Sequence, residues 1–143
     1  MQTVFLFVYG SLRSGFKNPM YNYVSRYFNL VASHAKVKGL LYNMGTHPVA
    51  KSTSENKFLI GELYAINNID EFSFAIAQLD DYEGVSVEEG EKPLFQREKT
   101  MVFLDNNKEI EAWVYWYNGS VDGKTIIESG DVLQFFSEQQ KGS

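Results

Sequence analysis

Glu83 stands where an amphipathic helix would bury one more aliphatic side chain. Phe72, Ile76, Leu79 and Glu83 fall at steps of four, three and four, which puts them on one helix face, and Gly84 follows in the position of a C-terminal cap. A carboxylate on such a stripe loses hydration of its charged form and also meets the negative end of the helix dipole. Both effects raise its pKa, toward about 6 to 7, the range of a general base at neutral pH. At the same position the side chain could simply swing out to solvent from the last turn, or pair with Arg97. Glu62 competes for the same role, because it shares a strand face with Phe58, Ile60, Tyr64 and Ile66. A carboxylate buried there needs a partner, and hydrogen bonds from backbone or an arginine would account for it without catalysis.

Other candidates are weaker. Ser11 sits in Tyr-Gly-Ser-Leu-Arg, which lacks the second glycine of a nucleophile elbow, and His34 and His47 are the only imidazoles available to activate it. The Gly10–Gly15 stretch has no Gly-Lys-Ser/Thr ending, so it is not a phosphate loop of the nucleotide-hydrolase kind. His34 and His47 share no metal-ligand spacing, and no metal site is expected. Arg13 is suited to a substrate carboxylate or, equally, to an exposed surface. Trp113, Tyr115, Trp116 and Tyr117 read as core rather than as a stacking platform.

The elements that must position these residues follow from pattern. Val4 to Val8 is β-branched or aromatic in four of five positions and reads as a strand buried on both faces. Gly10, Ser11, Ser14 and Gly15 then make Tyr9 to Gly15 a tight loop whose amide groups can hold an anion or a developing oxyanion. Asn18 and Pro19 start a helix, and apolar residues through Val31 carry it to about Leu30. Strands are expected over Ala35 to Tyr42, briefly over Val49 to Lys51, and over Phe58 to Ile66, with a turn-rich Asn43 to Pro48 and a polar loop Ser52 to Lys57 between them. Asn67 to Asp70 caps the helix that carries Glu83. After the acidic loop Ser86 to Lys92, Leu94 to Leu104 and Ile110 to Tyr117 form a hairpin around Asp105-Asn106-Asn107-Lys108. Ser129-Gly130-Asp131 reads as a turn and the last residues as loose. Five or six strands with two interleaved helices point to an α+β domain whose sheet could curl into a barrel.

At 143 residues and 44% hydrophobic content, the chain fits a single domain over residues 1–143. A net charge of −5, with its dense run of charge at Glu88, Glu89 and Glu91, argues against nucleic acid or an anionic membrane as partner. The absence of cysteine removes disulfides, thiolate nucleophiles and cysteine-ligated metals. The apolar run at the N-terminus is too short for a signal peptide or a membrane span, so a soluble, cytoplasmic protein is expected.

Five separated segments together resemble the gamma-glutamylcyclotransferase-like family, including its gamma-glutamylamine cyclotransferase branch. They are Tyr9-Gly10-Ser11-Leu12-Arg13-Ser14-Gly15, Gly39 to Gly45 with Pro48, Gly61-Glu62-Leu63-Tyr64, Leu79-Asp80-Asp81-Tyr82-Glu83-Gly84, and Ala112-Trp113-Val114-Tyr115, in the family's order. The resemblance implies a small mixed β-barrel flanked by helices, no cofactor, and a small-molecule gamma-glutamyl substrate cyclised to 5-oxoproline with release of an amine. It implies a catalytic role for Glu83, and substrate binding by the segment Tyr9, Gly10, Ser11, Leu12 and Arg13. The alternative is a non-catalytic module that holds a small anionic or amino-acid ligand in the same cavity. Phe95-Gln96-Arg97 departs from the family's usual Tyr-x-Arg, which puts the substrate group in question more than the reaction. The acidic loop could disfavour acidic leaving groups. Oligomeric state has no signature in the sequence.

Overall fold

The computed structural model describes residues 3–10, 19–45, 48–85 and 93–141. Five strands close into a mixed barrel: β1 (Phe5–Val8), β2 (Phe28–Asn43), β4 (Phe58–Ile66), β5 (Phe95–Leu104) and β6 (Glu109–Tyr117). Around the ring the order is β2-β4-β1-β6-β5, and β5 returns to β2 through Ala35–Leu104 and Lys36–Phe103. All neighbours are antiparallel except β1 and β6, which run parallel with Leu6 opposite Trp113. The short strands β3 (Pro48–Ser52) and β7 (Thr125–Ile126) both extend the far end of β2. Three helices, α1 (Pro19–Tyr27), α2 (Phe72–Glu83) and α3 (Val132–Lys141), complete the described chain.

The alternation of a strand sorts the apolar residues into two cores. Phe7, Leu63, Val114 and Trp116 point into the barrel, where Leu41, Leu59 and Val102 meet them. Leu6, Val8, Tyr64 and Tyr115 point outward and are covered by Val24 of α1 and by Phe72, Ala75, Ile76 and Leu79 of α2. This is why β1 is apolar without a break: Leu6, Phe7 and Val8 are each buried, on alternate faces.

Three expectations are corrected. The first helix ends at Tyr27, not near Leu30, and the second strand starts at Phe28 rather than Ala35. Phe28, Asn29 and Leu30 pair with Ile66, Ala65 and Tyr64 of β4, so a ladder wins over another helical turn, and Leu30 and Val31 are exposed instead of continuing a buried stripe. Register shifts between Leu30 and Ala35 bend this 16-residue strand, which lets it serve both β4 and β5. The C-terminal segment expected to be loose forms α3, with Val132 buried and Phe136 packed on the barrel core. Its start is capped by Asp131, whose Oδ1 accepts the Gln134 N–H at 3.1 Å. With β7 and α3, the described residues hold seven strands and three helices, more than the five or six and two expected.

Candidate active site

Asn68 opens the segment that carries the candidate base. Its side chain accepts the Asp70 N–H at 3.0 Å, and a 3-10 turn over Ile69–Glu71 leads into α2. From there Phe72, Ala75, Ile76 and Leu79 are pressed against the outer face of the barrel, and Asp80 is buried with them. Gly84 ends the helix with φ +77°, the left-handed conformation that side chains resist, and its N–H bonds back to the last turn. The chain is then pinned to the start of β5, because the Leu94 N–H donates to the Gly84 carbonyl at 3.1 Å.

Glu83 is partly buried at this end of α2. Burial pushes its carboxyl up from the ordinary 4.5 to about 7. Two hydroxyls feel its charge. Tyr9 and Tyr115 are both held well above the usual tyrosine value, by burial first, and for Tyr115 also by its bond to Asp80, with Glu83 adding to the rise in each. The carboxylate of α2 and the ends of β1 and β6 therefore share one electrostatic neighbourhood.

Arg97 does not take Glu83 as partner. Its Nε and Nη2 donate to Asp80 Oδ1 and Oδ2 at 2.7 and 3.0 Å, a two-pronged pair between β5 and α2. The Tyr115 hydroxyl donates to the same Oδ1 at 2.8 Å, and the Tyr9 hydroxyl donates to the Tyr115 carbonyl at 2.6 Å. Trp113 backs the guanidinium, with its ring centre 4.2 Å from the Arg97 Cζ. Trp116 lines the barrel interior and stacks on Tyr9 with 6.2 Å between ring centres. Among the described residues no group hydrogen-bonds the Glu83 carboxylate.

Tyr9 and Gly10 are the described members of the expected substrate-binding segment; Ser11, Leu12, Arg13 and the acidic loop Ser86 to Lys92 lie outside the described residues. A Cβ added at Gly10 would meet nothing described within 4 Å. Glu62 is buried opposite Val8 on the outward face and accepts the Tyr64 hydroxyl at 2.8 Å, a side-chain partner on its own strand where backbone or an arginine was expected to supply one. His34 is exposed and lies 3.6 Å from Asp105, while His47 is outside the described residues. No cluster of three or more metal-ligating side chains occurs among the described residues. Asp80 and Tyr115 belong to this hydrogen-bonded network, a place that the pattern did not assign to them. The signal was present: Asp80 lies four residues after Ile76 on the same helix face, a second carboxylate on one apolar stripe.

The family described as gamma-glutamyl cyclotransferase, AIG2-like, matches residues 6–134. The chain belongs to this AIG2-like gamma-glutamyl cyclotransferase family. A Methanocaldococcus jannaschii protein that carries the name "Putative gamma-glutamylcyclotransferase" is 31% identical over 131 residues, which are 92% of this chain and 97% of that one. Among solved structures, YkqA of Bacillus subtilis superimposes with a TM-score of 0.70 at 23% identity, over 98% of this chain; the chain spans 43% of that protein's length. A mouse AIG2-like protein gives a TM-score of 0.64 at 17% identity, over 90% of this chain and 88% of its own. These two likenesses establish the barrel as the family's fold. As an AIG2-like family member with a named relative, the protein is a cyclotransferase-type enzyme. No helix among the described residues is long and apolar enough to cross a membrane.

Proposed function

We propose that the protein converts a gamma-glutamyl amine or amide into 5-oxoproline and a free amine, with Glu83 as general base. The carrying observation is a carboxyl raised by burial to about 7 whose charge reaches the Tyr9 hydroxyl, at the residue just before Gly10. A base with that affinity for protons is half in its active form near neutral pH and returns the proton readily.

In such a substrate the nucleophile is tethered to its target, so the chemistry reduces to folding the molecule and moving protons from one nitrogen to the other. Glu83 removes a proton from the α-ammonium group. The freed amine nitrogen attacks the side-chain carbonyl carbon, forming the ring C–N bond and pushing the carbonyl electrons onto oxygen. Backbone donors of the turn after Tyr9 are suited to hold that oxyanion. As the carbonyl re-forms, the bond to the departing amine breaks and Glu83 returns the proton to that nitrogen. The ring nitrogen sheds a second proton as it becomes the lactam N–H, and that proton also ends on the departing amine, which leaves as an ammonium; two protons have passed from one nitrogen to the other, and no water or cofactor is consumed.

The test is release of 5-oxoproline from a panel of gamma-glutamyl amines by the wild type and Glu83→Gln. A general base is worth about 100- to 10,000-fold, so Glu83→Gln should lose at least about 100-fold in kcat while still binding substrate. Equal turnover by both proteins would overturn the role of Glu83, and absence of 5-oxoproline from the wild type with every substrate would overturn the reaction.

A further inference from the structure

The base depends on a neighbour that itself carries charge. Asp80 and Glu83 are one turn apart at the end of α2, at a spacing that brings side chains to about 5 to 6 Å between Cβ atoms. Two free carboxylates there would each resist ionisation of the other. Asp80 is not free: its two oxygens take Nε and Nη2 of Arg97, and Oδ1 also takes the Tyr115 hydroxyl. The pair is enclosed, with side-chain exposures of 12% for Asp80 and 20% for Arg97. Arg97 is in turn backed by the Trp113 ring of β6.

We propose that Asp80 and Arg97 are positioning residues for the reaction: their two-pronged pair, completed by the Tyr115 hydroxyl, bolts the last turn of α2 to β5 and β6 and holds Glu83 beside Tyr9, while cancelling the charge of Asp80 next to the base. This rests on Glu83 being that base. The linkage is mechanical and electrostatic together. From α2 it runs through Asp80 to Arg97 on β5 and to the Tyr115 hydroxyl on β6. The Tyr115 carbonyl accepts from Tyr9, whose residue precedes the Gly10 turn. One chain of hydrogen bonds thus joins the element that carries the base to the strand end expected to carry the oxyanion donors.

The titratable and charged groups at this end are Asp80, Asp81 and Tyr82 on α2, Tyr9 just after β1, Glu62 and Tyr64 on β4, Arg97 and Lys99 on β5, and Tyr115 on β6. Lys99 faces the Trp113 ring from 5.4 Å, and Tyr64 and Glu62 bond each other. Glu88, Glu89 and Glu91 belong to the segment outside the described residues. Of these groups, Asp80 and Arg97 are the pair whose separation places a full charge of either sign within one helical turn of Glu83.

The two partners should therefore act on Glu83 with opposite sign, which a merely structural pair would not do. Arg97→Gln leaves Asp80 negative and unpaired, so the Glu83 titration moves up. Asp80→Asn leaves Arg97 positive and unpaired, so it moves down. Shifts of about 0.5 to 1 pH unit each are expected. The readout is the Glu83 carboxyl carbon, titrated by NMR in the full chain and assigned by its loss in Glu83→Gln, which needs no substrate. Alongside it, 5-oxoproline release should fall about tenfold in kcat with KM changed less than about threefold, since a misplaced base slows the chemical step. Should Arg97→Gln fail to fold, Arg97→Lys carries the test: it keeps the charge and gives up one prong, so the Glu83 midpoint should stay and kcat should still fall. Midpoints that move together or stay put in Asp80→Asn and Arg97→Gln overturn the inference, as does an Arg97→Lys protein with wild-type kcat. An inactive wild type would instead strike at the proposed reaction and leave the titrations to be judged alone.

Discussion

A carboxyl lifted to about 7 by burial is costly to the fold that holds it. In the unfolded chain Glu83 titrates near 4.5, so between that value and about 7 the folded state binds more protons than the unfolded one. Stability must then fall as pH rises through this window and level off above it. At about 1.4 kcal/mol per pH unit the ceiling of the effect is about 3 kcal/mol, and partial exposure brings it to about 2 kcal/mol. Glu83→Gln removes the penalty, because the amide has no charge to desolvate. Urea unfolding should show the variant more stable than wild type by about 2 kcal/mol at pH of about 8 and nearly equal at pH of about 4. A constant difference at both pH values would mean that burial does not set the titration of Glu83. The same residue shows what the sequence could and could not supply. Its place on the stripe of Phe72, Ile76 and Leu79 was legible, because helical spacing is local. That Arg97 would go to Asp80 was not, since a choice between two carboxylates one turn apart depends on where β5 passes the helix.

The helix end is the element on which the site turns. Gly84 holds φ +77° while its carbonyl accepts the Leu94 N–H, so one residue reverses the chain and starts its return toward β5. A Cβ there would stand 3.3 Å from the Leu94 Cβ, tight but not blocked, and the left-handed backbone would be the larger objection. Gly84→Ala should therefore cost about 1 kcal/mol, a fall of a few degrees in Tm for a chain of this size, measurable by calorimetry. An unchanged Tm would show that the cap relaxes without loss. Helix C-caps are readable from sequence for this reason: glycine is chosen by backbone torsion, whatever lies further away. The junction of α1 and β2 is the opposite case. Tyr27 and Phe28 are both apolar aromatics that either element would accept, and the change from helix to strand is decided by Ile66 waiting across the ladder. At α3 the cap Asp131 and the apolar Val132 and Phe136 were visible, but their worth depends on a barrel mouth that only the closed sheet creates.

The closure itself is uneven, and this matters for how the whole molecule moves. β5 pairs with β6 without interruption from Phe95–Tyr117 to Phe103–Glu109, whereas it meets β2 only at Ala35–Leu104 and Lys36–Phe103. Beside that seam the contact of His34 with Asp105 is exposed on both sides and adds little. β1 is placed differently: it pairs with β4 along its whole length, from Phe5–Ala65 to Val8–Glu62, and Leu6, Phe7 and Val8 are buried on alternate faces, although with β6 it registers only Leu6 opposite Trp113. α2 packs on β1 and β6, and Arg97 lies six residues along β5 from Phe103, so opening of the seam should leave the Asp80–Arg97 pair intact. Native-state hydrogen exchange tests this division. Amides that bridge β2 and β5 around Lys36 and Phe103 should exchange through local opening, well below the global unfolding free energy, while those of Leu6, Phe7 and Val8 should exchange only with global unfolding. Substituting Arg97 by Gln should lower protection at the end of α2 and leave the seam amides unchanged. Equal protection at the seam and in β1 would make the barrel a single cooperative ring, and the separation of a rigid site from a yielding seam would be lost.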